Sequence, residues 1–347
     1  MQKRIIIVNE MYSDNIGDQA ISEAMADFFG VDDSVVITKA DFSFRAGPSK
    51  TKKNKSIISW KKKIPDFIKF TYFFTKNIKN ANFIAREKYH VAIIGGGQLI
   101  LSNSSFSLSM LLYVVFLKLY GTKIKLVSVG VGEKFSLANA FLYKLAFRFV
   151  DDIYLRDAKS IENFRKIFGG SAKYSPDIAY YFSEKKIIQN DIDTYEDLVC
   201  PVDYMVYKRY RKEANNPCLS YNEYKLEWLK IIDNMLLESP LNTIIVTATT
   251  QADYDFSLDV YNASKVEYGA RLRITKSNNM YDFLAVARDC RCVVSGRMHA
   301  LILCHNIGLK IKPFKISSKI ISFENEYLNS TSEYHKKKLE KIRSDII

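Results

Sequence analysis

Arg297 and His299 stand two residues apart, directly after an apolar run, Cys292-Val293-Val294-Ser295, that breaks at Gly296. The run reads as a buried strand, the glycine as a turn, and the apolar stretch from Ala300 as a helix. In a parallel α/β sheet, ligands bind outside the carboxyl ends of strands, where helix N-termini present N–H groups and a partial positive charge. An arginine there is a permanent cation for an anion, and a histidine is the group that moves protons near neutrality. Ser295, Gly296 and Met298 complete the anion-holding turn of this reading. A helix cap and a packed imidazole would use the same residues, so the pair needs support from the rest of the chain.

Three other strand ends offer it. Asn15-Ile16-Gly17-Asp18 follows a first apolar strand, Arg4 to Val8; glycine permits close backbone approach, Asn and Asp can hold hydroxyls, and Asp18 is placed to cap the next helix. Gly95-Gly96-Gly97 follows the strand Val91 to Ile94 and would turn bare N–H groups toward an oxyanion, although the dinucleotide fingerprint G-x-G-x-x-G is absent. Arg156-Asp157 adds a second cation at a further strand end, and Asp177 marks a junction between halves of the chain. Among the other histidines, His90 precedes a strand, His305 falls six residues along the same helix as His299, and His335 is in the tail. Five cysteines without a C-x-x-C pair argue against a zinc site or a disulfide framework, so no metal is expected.

Strand and helix patterns alternate throughout to position these residues. Strands at Arg4 to Val8, Val35 to Thr38, Val91 to Ile94, Leu126 to Val131 and Ile153 to Leu155 are separated by helical periodicities; the helix from Ala158 should stop at Gly169-Gly170. The polar stretch Ser183 to Glu196 interrupts the pattern, which resumes at Leu198 with a helix at Tyr221 to Leu237 and strands at Thr243 to Thr247, Leu272 to Thr275 and Cys292 to Ser295. This predicts an α/β chain of two Rossmann-like domains facing one another across a cleft, residues 1–185 and 196–316, with a helical extension at 317–347 whose tail is a solvated face.

The 347 residues fit two ordinary domains, and 48% hydrophobic content supplies their cores. No apolar run reaches the roughly 18 residues of a membrane span, no targeting segment is evident, and reduced cysteines suit the cytoplasm. The net charge of +13 is concentrated: residues 45–88 hold thirteen Lys or Arg against two acids, interleaved with Trp60, Phe67, Phe70, Tyr72, Phe73 and Phe74. Such a segment suits an anionic membrane surface, which would make the protein peripheral at the inner face; without a reader motif, nucleic acid is not expected.

Taken in order, Gly17-Asp18, Gly95-Gly96-Gly97, Gly130-Val131-Gly132, Arg156-Asp157 with Ser160, Asp177-Ile178-Ala179 and Ser295-Gly296-Arg297-Met298-His299-Ala300 resemble the polysaccharide pyruvyl transferases, from about residue 7 to residue 320. The resemblance implies a GT-B-like pair of domains, the first on the acceptor side and the second on the donor side. It implies transfer of the enolpyruvyl unit of phosphoenolpyruvate, as substrate and without a cofactor, onto two hydroxyls of one sugar to form a cyclic ketal. The acceptor would be a bacterial surface polysaccharide or its lipid-linked oligosaccharide precursor. Lys319 matches the family's downstream lysine, while Thr247-Ala248-Thr249-Thr250 stands where members often carry a proline and a histidine.

Phosphoenolpyruvate bears a phosphate and a carboxylate, so its site needs several cations or helix N-termini, which Arg297, Arg156 and the Gly296 turn could supply. Protonation of its methylene carbon needs a positioned acid, for which His299 is the best candidate, with Asp18 to orient or deprotonate an acceptor hydroxyl. A GT-B glycosyltransferase using a nucleotide sugar, and a catalytically silent glycan-binding protein, are the alternatives; the first needs a ribose-holding acid that the sequence does not reveal, and the second would fit better had the Arg or His been lost.

Overall fold

The computed structural model describes residues 2–32, 34–47, 66–182 and 195–346. Residues 48–65 of the basic segment 45–88, and residues 183–194 of the polar interruption Ser183 to Glu196, lie outside the described residues. Two compact units are present, and neither is continuous in sequence: one is Met1–Ser13, Ile21–Tyr181 and Lys337–Ile347, the other Asp14–Ala20 and Phe182–Lys336.

The first unit is built on a six-stranded parallel sheet of β1 (Lys3–Asn9), β2 (Val35–Asp41), β3 (Val91–Gly95), β4 (Lys123–Val129), β5 (Asp152–Leu155) and β6 (Lys173–Tyr174), in the order β2-β1-β3-β4-β5-β6. Ile5, Ile6, Ile7 and Val8 are all fully buried, as continuous apolar strands are when both sheet faces are covered. The covering helices are α1 (Ile16–Phe29), whose residues up to Ala20 group with the second unit, α2 (Asp66–Ala85), α3 (Ser104–Leu119), α4 (Leu137–Phe147) and α5 (Ala158–Phe168). Helix α5 ends where its sequence says it should, at Gly169 with φ 75°, whose N–H returns to Arg165 O. The strand order reverses between β1 and β3. At the β3 end a Cβ on Gly96 (φ 67°) would collide with Ile21, and one on Gly95 with the Val127 carbonyl, so packing alone already demands those glycines.

The second unit holds β7 (Glu196–Cys200), α6 (Tyr204–Glu213), α7 (Tyr221–Leu237), β8 (Thr243–Val246), α8 (Gln251–Tyr268), β9 (Leu272–Ile274), α9 (Met280–Ala287), β10 (Cys292–Ser295), α10 (Met298–Asn306), β11 (Lys310–Pro313) and α11 (Ser318–Tyr327). Its five strands, again all parallel, run β11-β10-β7-β8-β9. The chain starts at the central strand, walks out to β9, then returns to lay β10 on the other side of β7. The two strands that part company are therefore β7 and β10, paired through Cys200 and Ser295 at their carboxyl ends. The loops leaving them diverge there, which opens the crevice where α/β sheets bind ligands.

Three elements escape sequence reading, the two-residue edge strand β6 among them. Helix α6 buries only Tyr207 and so shows no apolar period, although Asp203 caps it by accepting from the Met205 and Val206 amides. Edge strand β11 is half-buried and carries two lysines. The tail also departs from the expected solvated face: α12 (Ser332–Ile346) fully buries Leu339 and Ile346, and Arg343 hydrogen-bonds the Tyr181 hydroxyl. Among the described residues, no helix is long and apolar enough to cross a membrane.

Candidate functional site

The crevice at the end of β10 is a pocket that gathers, among others, Asn15, Thr249, Arg297, His299, Ser317 and Lys319, all within the second unit. Its floor is the turn into α10. Ser295 is fully buried; its Oγ accepts from Arg297 N at 3.0 Å and lies 3.3 Å from Cys200 O, which fixes how the chain leaves the strand. A Cβ on Gly296 would come 3.1 Å from both Ile316 and Val202, tight enough to favour glycine.

Arg297 is the N-cap residue of α10, an unusual choice because its side chain cannot accept from the first-turn amides. It turns instead to Asp253 on α8: Nε to Oδ2 at 2.8 Å and Nη2 to Oδ1 at 2.7 Å, a two-pronged pair. Burial works against the guanidinium charge, but the Asp253 carboxylate outweighs it, and the Arg297 pKa is raised. Asp253 is itself fully buried, accepts from Asp203 N at 2.9 Å, and is fixed at the start of α8, where Thr250 caps by accepting from Asp253 N. Arg297 is thus a clamped cation whose Nη1 makes no hydrogen bond among the described residues.

His299 lies in the first turn of α10, 9% exposed, with its ring against the backbone of Gly17. Asn15 carries that backbone to it. Its Oδ1 accepts from Gly17 N at 3.1 Å, its carbonyl accepts from Asp18 N, and Ile16 N donates to Thr249 O at 3.1 Å. Asn15, not Asp18, is therefore the cap of α1; Asp18 sits inside the first turn, where its carboxylate accepts from Asn15 Nδ2 at 3.3 Å. The reason is geometric, since the cap must precede the turn whose amides it binds.

A second helix start faces the same pocket. Ser317 is the N-cap residue of α11, yet it makes no side-chain cap hydrogen bond. Its Oγ is buried without a partner among the described residues, and so is the Oγ1 of Thr249, a residue 3% exposed. Two helix N-termini without side-chain caps, two such hydroxyls, Lys319 and the clamped Arg297 make a pocket supplied with donors and positive charge and calling for acceptor oxygens.

The sequence-predicted residues thus divide. Asn15, Gly296, Arg297, Met298, His299 and Lys319 line the pocket; Ser295 and Gly17 support it from behind; Asp18 is one contact away through Asn15. Arg156 belongs to the first unit, 2% exposed, with Asp157 and Asp177 each at 3.2 Å, and its guanidinium lies where a Cβ on Gly130 would be. That environment is a buried ion-pair cluster. Gly95, Gly96 and Gly97 also belong to the first unit. His305 is partly buried, which lowers its pKa, and it does not line the pocket. Sequence reasoning missed Tyr210, Thr249, Asp253 and Ser317; Thr249 follows β8 and could have been found by the same strand-end rule as Arg297.

Paired α/β units of this topology define the GT-B-like class. The S. aureus MnaA–UDP co-structure superposes with a TM-score of 0.53 at 10% identity, covering 99% of this chain and 94% of the other. The UDP-GlcNAc 2-epimerase of Methanocaldococcus jannaschii gives 0.55 at 9%, covering 100% and 92%, and a putative UDP-N-acetylglucosamine 2-epimerase of Listeria monocytogenes 0.54 at 10%, covering 98% and 91%. At these identities the likeness concerns the fold alone. No curated protein matches the chain in sequence. The sequence profile of the family described as Polysaccharide pyruvyl transferase matches residues 15–308, and the chain belongs to that family.

Proposed function

We propose that the protein transfers the pyruvyl group of phosphoenolpyruvate to a sugar of a bacterial surface polysaccharide, or of its lipid-linked precursor, as a cyclic ketal. Family membership supplies the reaction class. The observation that carries the donor is the convergence of the α10 and α11 N-termini, with the Thr249 and Ser317 hydroxyls, on a pocket that also holds Arg297 and Lys319. A small molecule with a phosphate and a carboxylate matches that supply of donors, each end being an acceptor-only anion.

In this reading the helix starts and Lys319 hold the phosphate, and Arg297 holds the carboxylate. His299 delivers a proton to the methylene carbon, so that the adjacent carbon becomes electrophilic and a sugar hydroxyl adds to it. Loss of phosphate regenerates an electrophilic carbon, and the second hydroxyl of the same sugar closes the ketal. The two hydroxyl protons leave as the methyl group and phosphate form, with Asn15 and Asp18 orienting the acceptor. The site acts on the cytoplasmic side, where phosphoenolpyruvate is made.

Ligand-dependent thermal unfolding tests the donor. Phosphoenolpyruvate should raise the melting temperature, because a ligand bound only by the folded state stabilises it. Stabilisation by UDP or a UDP-sugar, with none by phosphoenolpyruvate, would instead support a nucleotide-sugar transferase.

A further inference from the structure

Helix α2 carries two dissimilar faces, and only one packs inward. Asn77, Ala81 and Ala85 are buried on the side that meets α3. On the other, Ile68, Tyr72 and Phe83 are 54%, 66% and 72% exposed, and Lys76 and Lys79 are exposed among them. At 3.6 residues per turn these five side chains fall within an arc of about 80°. Single exposed hydrophobics are ordinary, but three large ones on one stripe with lysines between them form a surface.

Charge decides what covers it. The acid of α2 is Asp66, its first residue, and the sequence just before the helix, 48–65, has seven lysines and no acid. A second copy of the same face would bring lysine against lysine. An anionic bilayer meets both requirements at once, taking up aromatic and aliphatic side chains at the depth where its phosphates meet the ammonium groups. We propose that the outer face of α2 docks the protein on an anionic lipid surface. Ile68, Tyr72 and Phe83 enter the headgroup–acyl boundary, and Lys76 and Lys79 lie against lipid phosphates. The helix rests in the plane of the interface and does not cross it.

Co-sedimentation of the full chain with lipid vesicles tests this, using phosphatidylcholine alone and phosphatidylcholine mixed with phosphatidylglycerol. Binding should need the anionic lipid and should be released by salt near 1 M, where the Debye length is about 3 Å. Lys76→Gln and Lys79→Gln should each weaken it about fivefold. Tyr72→Ser with Phe83→Ser should weaken it at least about tenfold at low salt, with an unchanged melting temperature because these side chains are exposed. Equal binding to neutral vesicles, or parental binding by both sets of variants, would overturn the proposal. So would failure to bind lipid by a dimer that the Tyr72/Phe83 variant converts to monomer, since the stripe would then belong to a second copy.

Discussion

His299 can pack where it does because residue 17 has no side chain: a Cβ on Gly17 would lie 2.7 Å from both Cβ and Cγ of His299. Gly17 opens α1 and His299 opens α10, so two helix starts distant in sequence are fitted to one another at the pocket. A methyl group at position 17 must push the ring or the helix aside. Gly17→Ala should therefore cost about 1–3 kcal/mol of stability, the usual scale of overpacking. Turnover per folded molecule should fall as well, because the displaced imidazole is the proposed acid; thermal unfolding and steady-state kinetics on the same preparation separate the two effects. A stable variant with parental turnover would show that the contact does not set the ring's position.

His299→Ala tests the acid itself. The variant should fold, bind phosphoenolpyruvate, and lose roughly 10²- to 10⁴-fold in turnover, the scale of a missing general acid. His299→Gln should do no better, since an amide hydrogen-bonds but does not deliver a proton at neutral pH. A histidine that merely fills space would behave otherwise, its loss lowering the melting temperature while turnover per folded molecule stayed near normal.

Arg297 and Asp253 should fail differently. Arg297→Ala removes the cation and should weaken phosphoenolpyruvate binding by about 1.5–3 kcal/mol, measured by calorimetry, but it also strands a buried carboxylate. Asp253→Ala leaves the guanidinium present and unclamped. Breaking a buried pair from one side typically costs about 3–5 kcal/mol of stability, and the larger drop in melting temperature is expected in the Arg297 variant, because the carboxylate it strands is 1% exposed whereas the guanidinium stranded by Asp253→Ala is 23% exposed and can turn toward solvent. Asp253→Glu, which keeps the charge, should restore most of the stability and only part of the affinity. Full affinity in Asp253→Ala would mean that the clamp does not orient Arg297 for the ligand.

The parts of this arrangement that were legible in the sequence are those that obey local rules. Buried parallel strands are unbroken apolar runs, and Cys292–Ser295 could be read with its true ends; Gly169 marked the end of α5 because only a positive φ satisfies that turn. The residues at the β10 end followed from the strand-end rule. What stayed hidden depends on tertiary placement. Nothing local distinguishes Arg156, buried between two aspartates, from Arg297, clamped at a pocket, since both are an arginine just past a strand. Asp253 reads as an ordinary first-turn acid of α8, and its partner is 44 residues away. Helix α6, which brings Tyr210 to the pocket, buries too little to show a period. The tail looked solvated because its lysines outnumber the two buried apolar residues, Leu339 and Ile346, that anchor it.

Thr249 gives a test in which stability and binding should move in opposite directions. Its Oγ1 lies at the pocket and makes no hydrogen bond to another protein group among the described residues, so the fold does not depend on a bond from that hydroxyl. Thr249→Val keeps the branched shape and removes the polar atom. Without ligand the variant should be as stable as the parent or more stable by up to about 1 kcal/mol, since deleting an unsatisfied buried group is neutral or favourable. Phosphoenolpyruvate, if it fills the pocket as proposed, accepts from that hydroxyl, and the variant should bind it more weakly by about 1.5–3 kcal/mol, the range for a hydrogen bond to a charged group. Thermal unfolding with and without phosphoenolpyruvate reads both quantities in one experiment: a raised or equal baseline melting temperature with a smaller ligand-induced shift. A hydroxyl serving only the fold would give the reverse, a lowered baseline and an unchanged shift, and that result would remove Thr249 from the donor site.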